Sequence, residues 1–268
     1  MFVVITSTEH KKGKRRQIFR RRPAYEINKK DIGNTYFYIL NAISYNGKIK
    51  WKTVLKAVPD TPGNIITDKG LAFPKNCNFK PYDTSGYIKT LYFNLFCCFL
   101  QQCLPSNLHI AIIDKEGRLC NEALALLRQA ASVYVVTANQ QRYLAVNETA
   151  GKLYGAELII VDSISPVMKS AAILAPFGTC GYGSLQNHPF LFAPKQGFEF
   201  GSEDIILPPA IERVRPAGVD KIEFAAALYE KCRINSLSGL TPVNIAKEGV
   251  KIPVKTAIKL LSDHNYRR

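Results

Sequence analysis

The chain has 268 residues, of which 47% are hydrophobic and 10% aromatic, and it carries a formal net charge of +15. Apolar content this high excludes a disordered or low-complexity protein, and the length suits one large domain or a few small ones. No apolar run reaches the roughly 18 residues that a membrane-spanning helix needs, since even 91–104 is interrupted by Asn94, Gln101 and Gln102.

The cysteines and the amino-terminal segment predict the cellular compartment of the protein. The seven cysteines contain no C-x-x-C pair, so neither structural zinc nor a disulfide framework is expected. An odd number of cysteines fits a reducing environment. The segment Met1 to Thr6 turns polar too early for a signal peptide, and we therefore expect a cytoplasmic protein. The four histidines show no metal-ligand spacing, so no metal site is predicted.

The positive charge is concentrated near the amino terminus. Residues 1–106 contain 18 Lys/Arg against 6 Asp/Glu, whereas the remainder contains 18 against 15. The densest run, Lys11 to Arg22, has eight Lys/Arg in twelve residues. Such a run suits the phosphates of a nucleic acid or an anionic membrane surface. A solvated basic segment without a partner has the same composition, so that alternative stays open.

The first 106 residues are predicted to form a strand-rich module. A strand is expected at Phe2 to Thr6, with candidate partners at 17–19 and 25–27, which makes the basic run a β-hairpin tip or a frayed arm. Asn46-Gly47 predicts another hairpin, because both residues tolerate the positive φ of a type I′ turn. Residues 58–86 are rich in turn formers and indicate long loops, and 87–104 indicate a buried helix.

Strands and helices alternate after that boundary. Apolar runs begin at His109, Val133 and Leu158, about 24 residues apart, with helical segments at 119–131 and 140–153 between them. A fourth strand is expected at 171–175. This spacing is typical of successive β-α-β units, which form a parallel sheet. We therefore predict an α/β protein with a basic strand-rich module at 1–106, a Rossmann-like parallel sheet at 107–218 and a helical extension at 219–268.

The run from His109 to Gly178 resembles Rossmann-type nucleotide-binding domains, by pattern rather than by motif. In that family a G-x-G-x-x-G turn after the first strand brings the backbone close to a pyrophosphate. The corresponding turn here runs from Asp114 to Leu119 and keeps one glycine, Gly117, with Asp114 and Glu116 where the phosphate would lie. The resemblance implies cofactor-binding positions at Asp114 and Gly117, and the alternative is a parallel sheet that binds no ligand.

The ends of the later strands supply the other candidate ligand-binding residues. In a parallel sheet these turns lie along one edge, so any ligand site is expected there. After the second strand, Thr137 and Arg142 would suit a 2′-phosphate, which favours NADP over NAD. The remaining candidates follow the third and fourth strands and are Asp162, Ser163, Gly178, Gly181 and Gly183.

Cys180 and His188 lie near the same glycine-rich turn. A nucleophilic cysteine requires a nearby imidazole to hold it as a thiolate, so the two residues are candidates for a nucleophile and its base. Only their proximity in sequence supports that pair. Ordinary polar residues of a glycine-rich loop are the alternative.

The last fifty residues are predicted to be helical. An amphipathic helix is expected at 221–232, and shorter helices are expected at 242–248 and 253–262. The two shorter helices resemble a helix-turn-helix, in which Ala246 and Gly249 would allow the helices to cross. The family's small residues are four apart, whereas these are three apart, and a plain helical cap is the alternative. The helix-turn-helix would turn three lysines toward phosphates: Lys251, Lys255 and Lys259.

Three hypotheses for function follow from these patterns. The first is a degenerate nucleotide or small-ligand binder that uses the edge of the parallel sheet. The second is a nucleic-acid-binding protein that uses Lys11 to Arg22, the terminal helices, or both. The third is an NADP-dependent oxidoreductase that lacks the glycine-rich phosphate motif.

Overall fold

The computed structural model describes residues 2–10, 23–58, 64–72, 74, 82–83, 85–103, 108–231 and 240–266. The basic run Lys11 to Arg22 lies outside these described residues. No helix within the described ranges is long and apolar enough to cross a membrane. The chain divides into two compact units, the first formed by Met1–Ile88 with Leu207–Ser238 and the second by Lys89–Ile206 with Gly239–Arg268.

Fourteen strands occur within the described residues. In chain order they are β1 Val3–Glu9, β2 Tyr25–Ile32, β3 Thr35–Tyr45, β4 Lys48–Ile49, β5 Ile65–Thr67, β6 His109–Ile113, β7 Ser132–Val136, β8 Ile159–Val161, β9 Ala172–Leu174, β10 Leu191–Phe192, β11 Ile205–Ile206, β12 Thr241–Pro242, β13 Asn244–Lys247 and β14 Val250–Pro253.

Seven α-helices and four short 3₁₀ segments accompany these strands in the described part of the chain. The α-helices are α1 Trp51–Lys56, α2 Ser85–Leu100, α3 Cys120–Ala123, α4 Gln140–Tyr154, α5 Pro209–Val214, α6 Lys221–Lys231 and α7 Val254–Tyr266. The 3₁₀ segments are Leu124–Arg128, Ser165–Lys169, Gly183–Asn187 and Ser202–Asp204.

The first unit is built on a sheet in the order β2-β3-β1-β5, with β4 paired to β3. Strand β1 runs parallel to both β3 and β5, and β2 runs antiparallel to β3. On one side of the sheet the Phe37 ring stacks on Phe2 at 4.9 Å and meets Phe224 of α6 edge-on at 5.4 Å. On the other side, Val54 of α1 packs into an apolar cluster with Leu40. Helices therefore cover parts of both faces.

The hairpin expectations for this unit had different outcomes. The Asn46-Gly47 hairpin is confirmed, since these residues have φ of 54° and 72° and Tyr45 pairs with Lys48. Pairing of the first strand with 25–27 is wrong, because β3 lies between β1 and β2 in the sheet. Strand β2 instead turns directly into β3 at Gly33, whose φ is 56°. A tight local turn joins neighbouring strands more readily than a long basic connection does.

The second unit is built on an all-parallel sheet in the order β10-β9-β6-β7-β8. The four predicted strands at 109–113, 133–136, 158–161 and 171–175 correspond to β6, β7, β8 and β9, so those predictions are confirmed. The chain places β7 and β8 on one side of β6 and then returns to place β9 and β10 on the other. That is the strand order 3-2-1-4-5 of Rossmann-type folds, and the order reverses between β6 and β9. The predicted α/β class is therefore correct.

Both faces of this sheet are covered by apolar side chains. On one face, Ala111 and Ile113 of β6 join a buried cluster with Val167 and Leu185, which come from 3₁₀ segments. On the other face, at the β10 end, the Phe192 ring contacts two rings of α2, Phe96 at 5.0 Å and Phe99 at 5.1 Å. Such coverage suits a parallel sheet, whose strands are normally buried on both sides.

The predicted helix at 242–248 is wrong. Residues Asn244–Lys247 form β13, which pairs with β14 as an antiparallel hairpin. Glu248 and Gly249 form its turn with φ of 52° and 81°, so the chain reverses instead of continuing as a helix. The helix-turn-helix resemblance therefore lacks its first helix. The predicted helices at 221–232 and 253–262 are confirmed as α6 and α7.

Gly197 provides a test of how β10 is held in the sheet. A Cβ at this position would overlap the backbone oxygen of Leu191, which accepts a hydrogen bond from Phe198 N at 2.6 Å. We expect Gly197→Ala to lower the free energy of unfolding by about 1–3 kcal/mol, as overpacking does. The measurement is urea unfolding. Gly183→Ala is the matched control, because its Cβ would meet nothing within 4 Å, and an equal loss in both variants would contradict this account.

Candidate functional site

The candidate site is the carboxyl edge of the parallel sheet where the strand order reverses. Ile112 of β6 lies beside Leu174 of β9, so two residues further along each strand the register places Asp114 beside Pro176. The turn from Asp114 to Leu119 and the turn that begins at Pro176 therefore lie side by side at this edge. Open α/β sheets bind ligands in the crevice outside the carboxyl ends of their strands, at such a reversal of strand order.

Asp114 is a fully buried carboxylate at the end of the central strand. Its Oδ2 accepts hydrogen bonds from Leu119 N at 2.8 Å and from the Tyr143 hydroxyl at 2.7 Å. Its Oδ1 is buried and has no hydrogen-bond partner among the described residues. A buried carboxylate oxygen without a donor costs free energy, and such costs are concentrated at functional sites.

Tyr143 supplies the side-chain donor to this carboxylate from α4. The residue is fully buried. Burial raises the pKa of the Tyr143 phenol far above its ordinary value, and the adjacent Asp114 carboxylate raises it further. Tyr143 therefore keeps its proton at physiological pH and acts as a neutral hydrogen-bond donor.

The turn around Gly117 is closed by the start of α4. Gly117 has φ of 68°, and a Cβ there would lie 3.3 Å from Arg142 Cδ and 3.4 Å from Asn139 Cβ. Arg142 Nη1 donates to Gly117 O at 3.3 Å, and Gly117 N donates to the backbone oxygen of Asp114 at 3.1 Å. Side chains of Asn139 and Arg142 thus occupy the space beside Gly117 that a glycine leaves open in the G-x-G-x-x-G motif.

The other candidates after β7 and β8 lie further from the point of reversal. Thr137 is buried, and its hydroxyl accepts from Asn139 N at 3.0 Å and donates to Lys115 O at 3.4 Å. It therefore stabilises two turns. Asp162 and Ser163 are exposed and follow β8, the edge strand two positions away from β6.

The glycine-rich turn after β9 has an unusual backbone. Gly178 and Gly181 have φ of 80° and 88°, and Cys180 between them has φ of 52°. The turn is braced by Gln196, whose Oε1 accepts from Thr179 N at 2.9 Å and would lie 3.5 Å from a Cβ on Gly178. Side chains at Gly181 and Gly183 would meet nothing within 4 Å, so this part of the turn has open space beside it.

The structure adds three residues that sequence patterns did not identify as a group: Lys89, Arg118 and Phe177. Lys89 Nζ of α2 lies 4.8 Å from the centroid of the Phe177 ring, and the Arg118 guanidinium lies 5.4 Å from it. Arg118 also forms an ion pair with Glu116. Phe177 and Arg118 lie in turns already singled out in the sequence, but no local pattern connects either of them with Lys89.

Cys180 and His188 do not form a nucleophile and base. His188 is buried, its Nε2 lies 2.9 Å from Ser170 O, and its Nδ1 accepts a hydrogen bond from Phe190 N at 3.2 Å. Both ring nitrogens are therefore used to hold backbone segments. The Cys180 thiol is directed to Gly178 O at 3.5 Å. The described residues also contain no cluster of three His, Cys, Asp or Glu side chains that could hold a metal ion.

Neither a protein-family model, a curated protein nor a solved structure matches this chain. The resemblance to Rossmann-type nucleotide-binding domains therefore stays a prediction. The observation in its favour is the strand order, with its reversal between β6 and β9.

The hydrogen bond between Tyr143 and Asp114 can be tested through stability. We expect Tyr143→Phe to lower the free energy of unfolding by about 1.5–3 kcal/mol, the usual contribution of a hydrogen bond to a charged group. Because the pKa of Tyr143 is raised in the folded protein, Tyr143 ionises at a lower pH in the unfolded chain than in the folded one. The difference in unfolding free energy between wild type and Tyr143→Phe is therefore full below about pH 10 and shrinks above it. Urea unfolding across a pH series measures both effects.

Tyr154→Phe is the matched control for that experiment. The Tyr154 ring contacts the Arg128 guanidinium at 4.8 Å, and this contact does not use the hydroxyl. We expect removal of the Tyr154 hydroxyl to leave the free energy of unfolding nearly unchanged. A loss in Tyr154→Phe as large as that in Tyr143→Phe would contradict a specific role for the buried hydrogen bond.

Proposed function

We propose that the protein binds a small anionic ligand of the nucleotide class at the carboxyl edge of the second unit's sheet. The observation that carries this proposal is the Phe177 ring with two cations, Arg118 and Lys89, beside the point where the strand order reverses. An aromatic face suits a base, and the two cations suit a phosphate. The proposal concerns binding, and no reaction is assigned.

The present contacts of Arg118 and Lys89 are weak enough to be replaced by contacts with a ligand. Phe177 is half-buried, and a cation over an aromatic ring contributes between about 0.5 and 2 kcal/mol from exposed to desolvated sites, whereas a hydrogen bond to a charged group contributes about 1.5–3 kcal/mol. The ion pair between Arg118 and Glu116 joins side chains that are 52% and 65% exposed, and such pairs contribute about 0–1 kcal/mol. A phosphate that reached this crevice would therefore compete successfully for Arg118.

The geometry favours the β9 side of the crevice over the turn at Gly117. Arg142 and Asn139 already cover Gly117, whereas Gly181 and Gly183 have open space beside them. Arg142 donates from Nη1 to Gly117 O at 3.3 Å, so its side chain is held against this turn. We therefore place the ligand against Phe177.

Ligand titration tests this proposal. We expect a nucleoside triphosphate, NADP or NAD to raise the melting temperature, because a ligand at 100 times its Kd adds about 2.7 kcal/mol of stability. Arg118→Ala and Lys89→Ala are each expected to weaken binding roughly 10- to 150-fold, which corresponds to one charge-assisted hydrogen bond. Glu116→Gln is expected to strengthen binding, because it removes the competing carboxylate. Isothermal titration calorimetry measures each affinity.

Arg128→Ala and Lys169→Ala are the matched controls. Both residues lie just before strands begin, Arg128 before β7 and Lys169 before β9, so they are at the opposite edge of the same sheet. Arg128 also has its own aromatic partner in Tyr154. Unchanged affinity in these variants supports the assignment. The proposal fails if no titrant binds, or if the controls lose as much affinity as Arg118→Ala.

A further inference from the structure

The first unit presents an aromatic and basic surface that the proposed ligand site does not use. We call it the tyrosine face, and it consists of Ile27, Lys29, Tyr36 and Tyr38 on strands β2 and β3. Lys29 lies directly opposite Tyr38, and Ile27 lies opposite Leu40. Residues two apart on a strand project to the same side, so the four side chains share one face of the sheet.

Three of these side chains are exposed, and Tyr38 is half-buried beneath them. Tyr36 is 37% exposed and Ile27 is 44% exposed, both large values for such side chains. Tyr36 meets Tyr38 edge-on at 5.7 Å, and Lys29 Nζ lies 4.4 Å from the centroid of the Tyr36 ring. Tyr38 in turn packs against the buried cluster that includes Leu40. The outer ring of Tyr36 therefore contacts an inner ring, Tyr38, that packs on the buried cluster.

The unit that carries this face also carries most of the net charge. Met1–Ile88 with Leu207–Ser238 contains 22 Lys/Arg against 10 Asp/Glu, a balance of +12. The second unit contains 14 against 11, a balance of +3. Long-range attraction of a polyanion therefore acts mainly on the first unit.

We propose that the tyrosine face binds single-stranded nucleic acid, with a base stacked on Tyr36 and a phosphate bound by Lys29. Exposed aromatic rings combined with positive charge are what single strands require, because every unpaired base offers a π-face. A duplex hides those faces within its own stack. An anionic membrane surface would use the charge but would not need a ring fixed in one orientation.

Asp31 is the acidic group that a phosphate must replace at this face. Its Oδ1 lies 2.9 Å from Lys29 Nζ, and the two side chains are 70% and 50% exposed. Such exposed ion pairs are weak, so Lys29 can exchange the carboxylate for a phosphate. Removing the Asp31 carboxylate should then strengthen nucleic-acid binding. This provides a variant that is expected to gain affinity.

Fluorescence anisotropy with the full chain tests the proposal. The probes are a labelled oligo-dT strand, a labelled oligo-U strand and a DNA duplex of equal length, each titrated across a salt series. We expect the strands to bind more tightly than the duplex. Tyr36→Ala should weaken strand binding roughly five- to 150-fold, the effect of losing one stacked base, whereas Tyr36→Phe should keep it within about twofold. Lys29→Gln should weaken binding and reduce the salt slope by about one, and Asp31→Asn should strengthen binding.

Tyr154→Ala is the matched control, since Tyr154 is a partly buried tyrosine of the second unit that contacts a cation, Arg128. Unchanged strand binding in this control supports the tyrosine face. Equal affinity for strand and duplex, or full strand binding by Tyr36→Ala, would overturn the proposal and assign binding to charge alone. Binding to phosphatidylserine vesicles without any binding to the strands would overturn it in favour of a membrane. Tyr36→Phe keeps the aromatic ring and serves as the conservative variant at this position. A loss of strand binding in both Tyr36 variants also contradicts stacking.

Discussion

The arrangement of the candidate ligand site depends on one buried carboxylate, that of Asp114. Its Oδ2 holds Leu119 N and the Tyr143 hydroxyl together, which ties the turn after β6 to α4. Because Leu119 is fixed, the preceding residue Arg118 is presented at the rim of the crevice, where its guanidinium reaches Phe177. The same closure brings Arg142 over Gly117. A single constraint thus closes the turn that a pyrophosphate would use and positions the cation for another site.

The two units offer anions different kinds of attraction. In the first unit the charge balance of +12 acts at long range, and the tyrosine face adds short-range stacking. In the second unit the balance is only +3, and Arg118 is accompanied by Glu116. The binding proposed for that crevice therefore depends on the placement of a few groups and less on the overall field. A small ligand with one or two phosphates suits the second arrangement, whereas a polyanion suits the first.

Local patterns predicted the strands of the parallel sheet because each is a short apolar run between clear stops. They could not predict which strands are neighbours, and so Lys89 was not associated with Phe177. They failed at 242–248, because the proline, alanine and lysine of this segment suit a helix as well as they suit a strand. The deciding feature is the turn at Glu248 and Gly249, since positive φ at both residues closes a hairpin. Strand β5 lies within the segment 58–86 predicted to form long loops, because a run of three residues carries almost no periodic signal.

Positive backbone φ has a different origin from the unpartnered oxygen at the carboxyl edge of the second unit's sheet. Among the described residues, four that are not glycine have positive φ: Asn46, Cys180, Lys195 and Glu248. Asn46 and Glu248 lie in two-residue hairpin turns, where this conformation is required. Cys180 and Lys195 lie instead in the turns that follow β9 and β10, which are closed by hydrogen bonds from Tyr182 N to Thr179 O at 3.0 Å and from Gln196 N to Ala193 O at 3.2 Å. Turn geometry therefore accounts for the positive φ of both residues, which have a folding reason of their own. The cost that no turn explains at this edge is the buried Oδ1 of Asp114, which has no hydrogen-bond partner among the described residues.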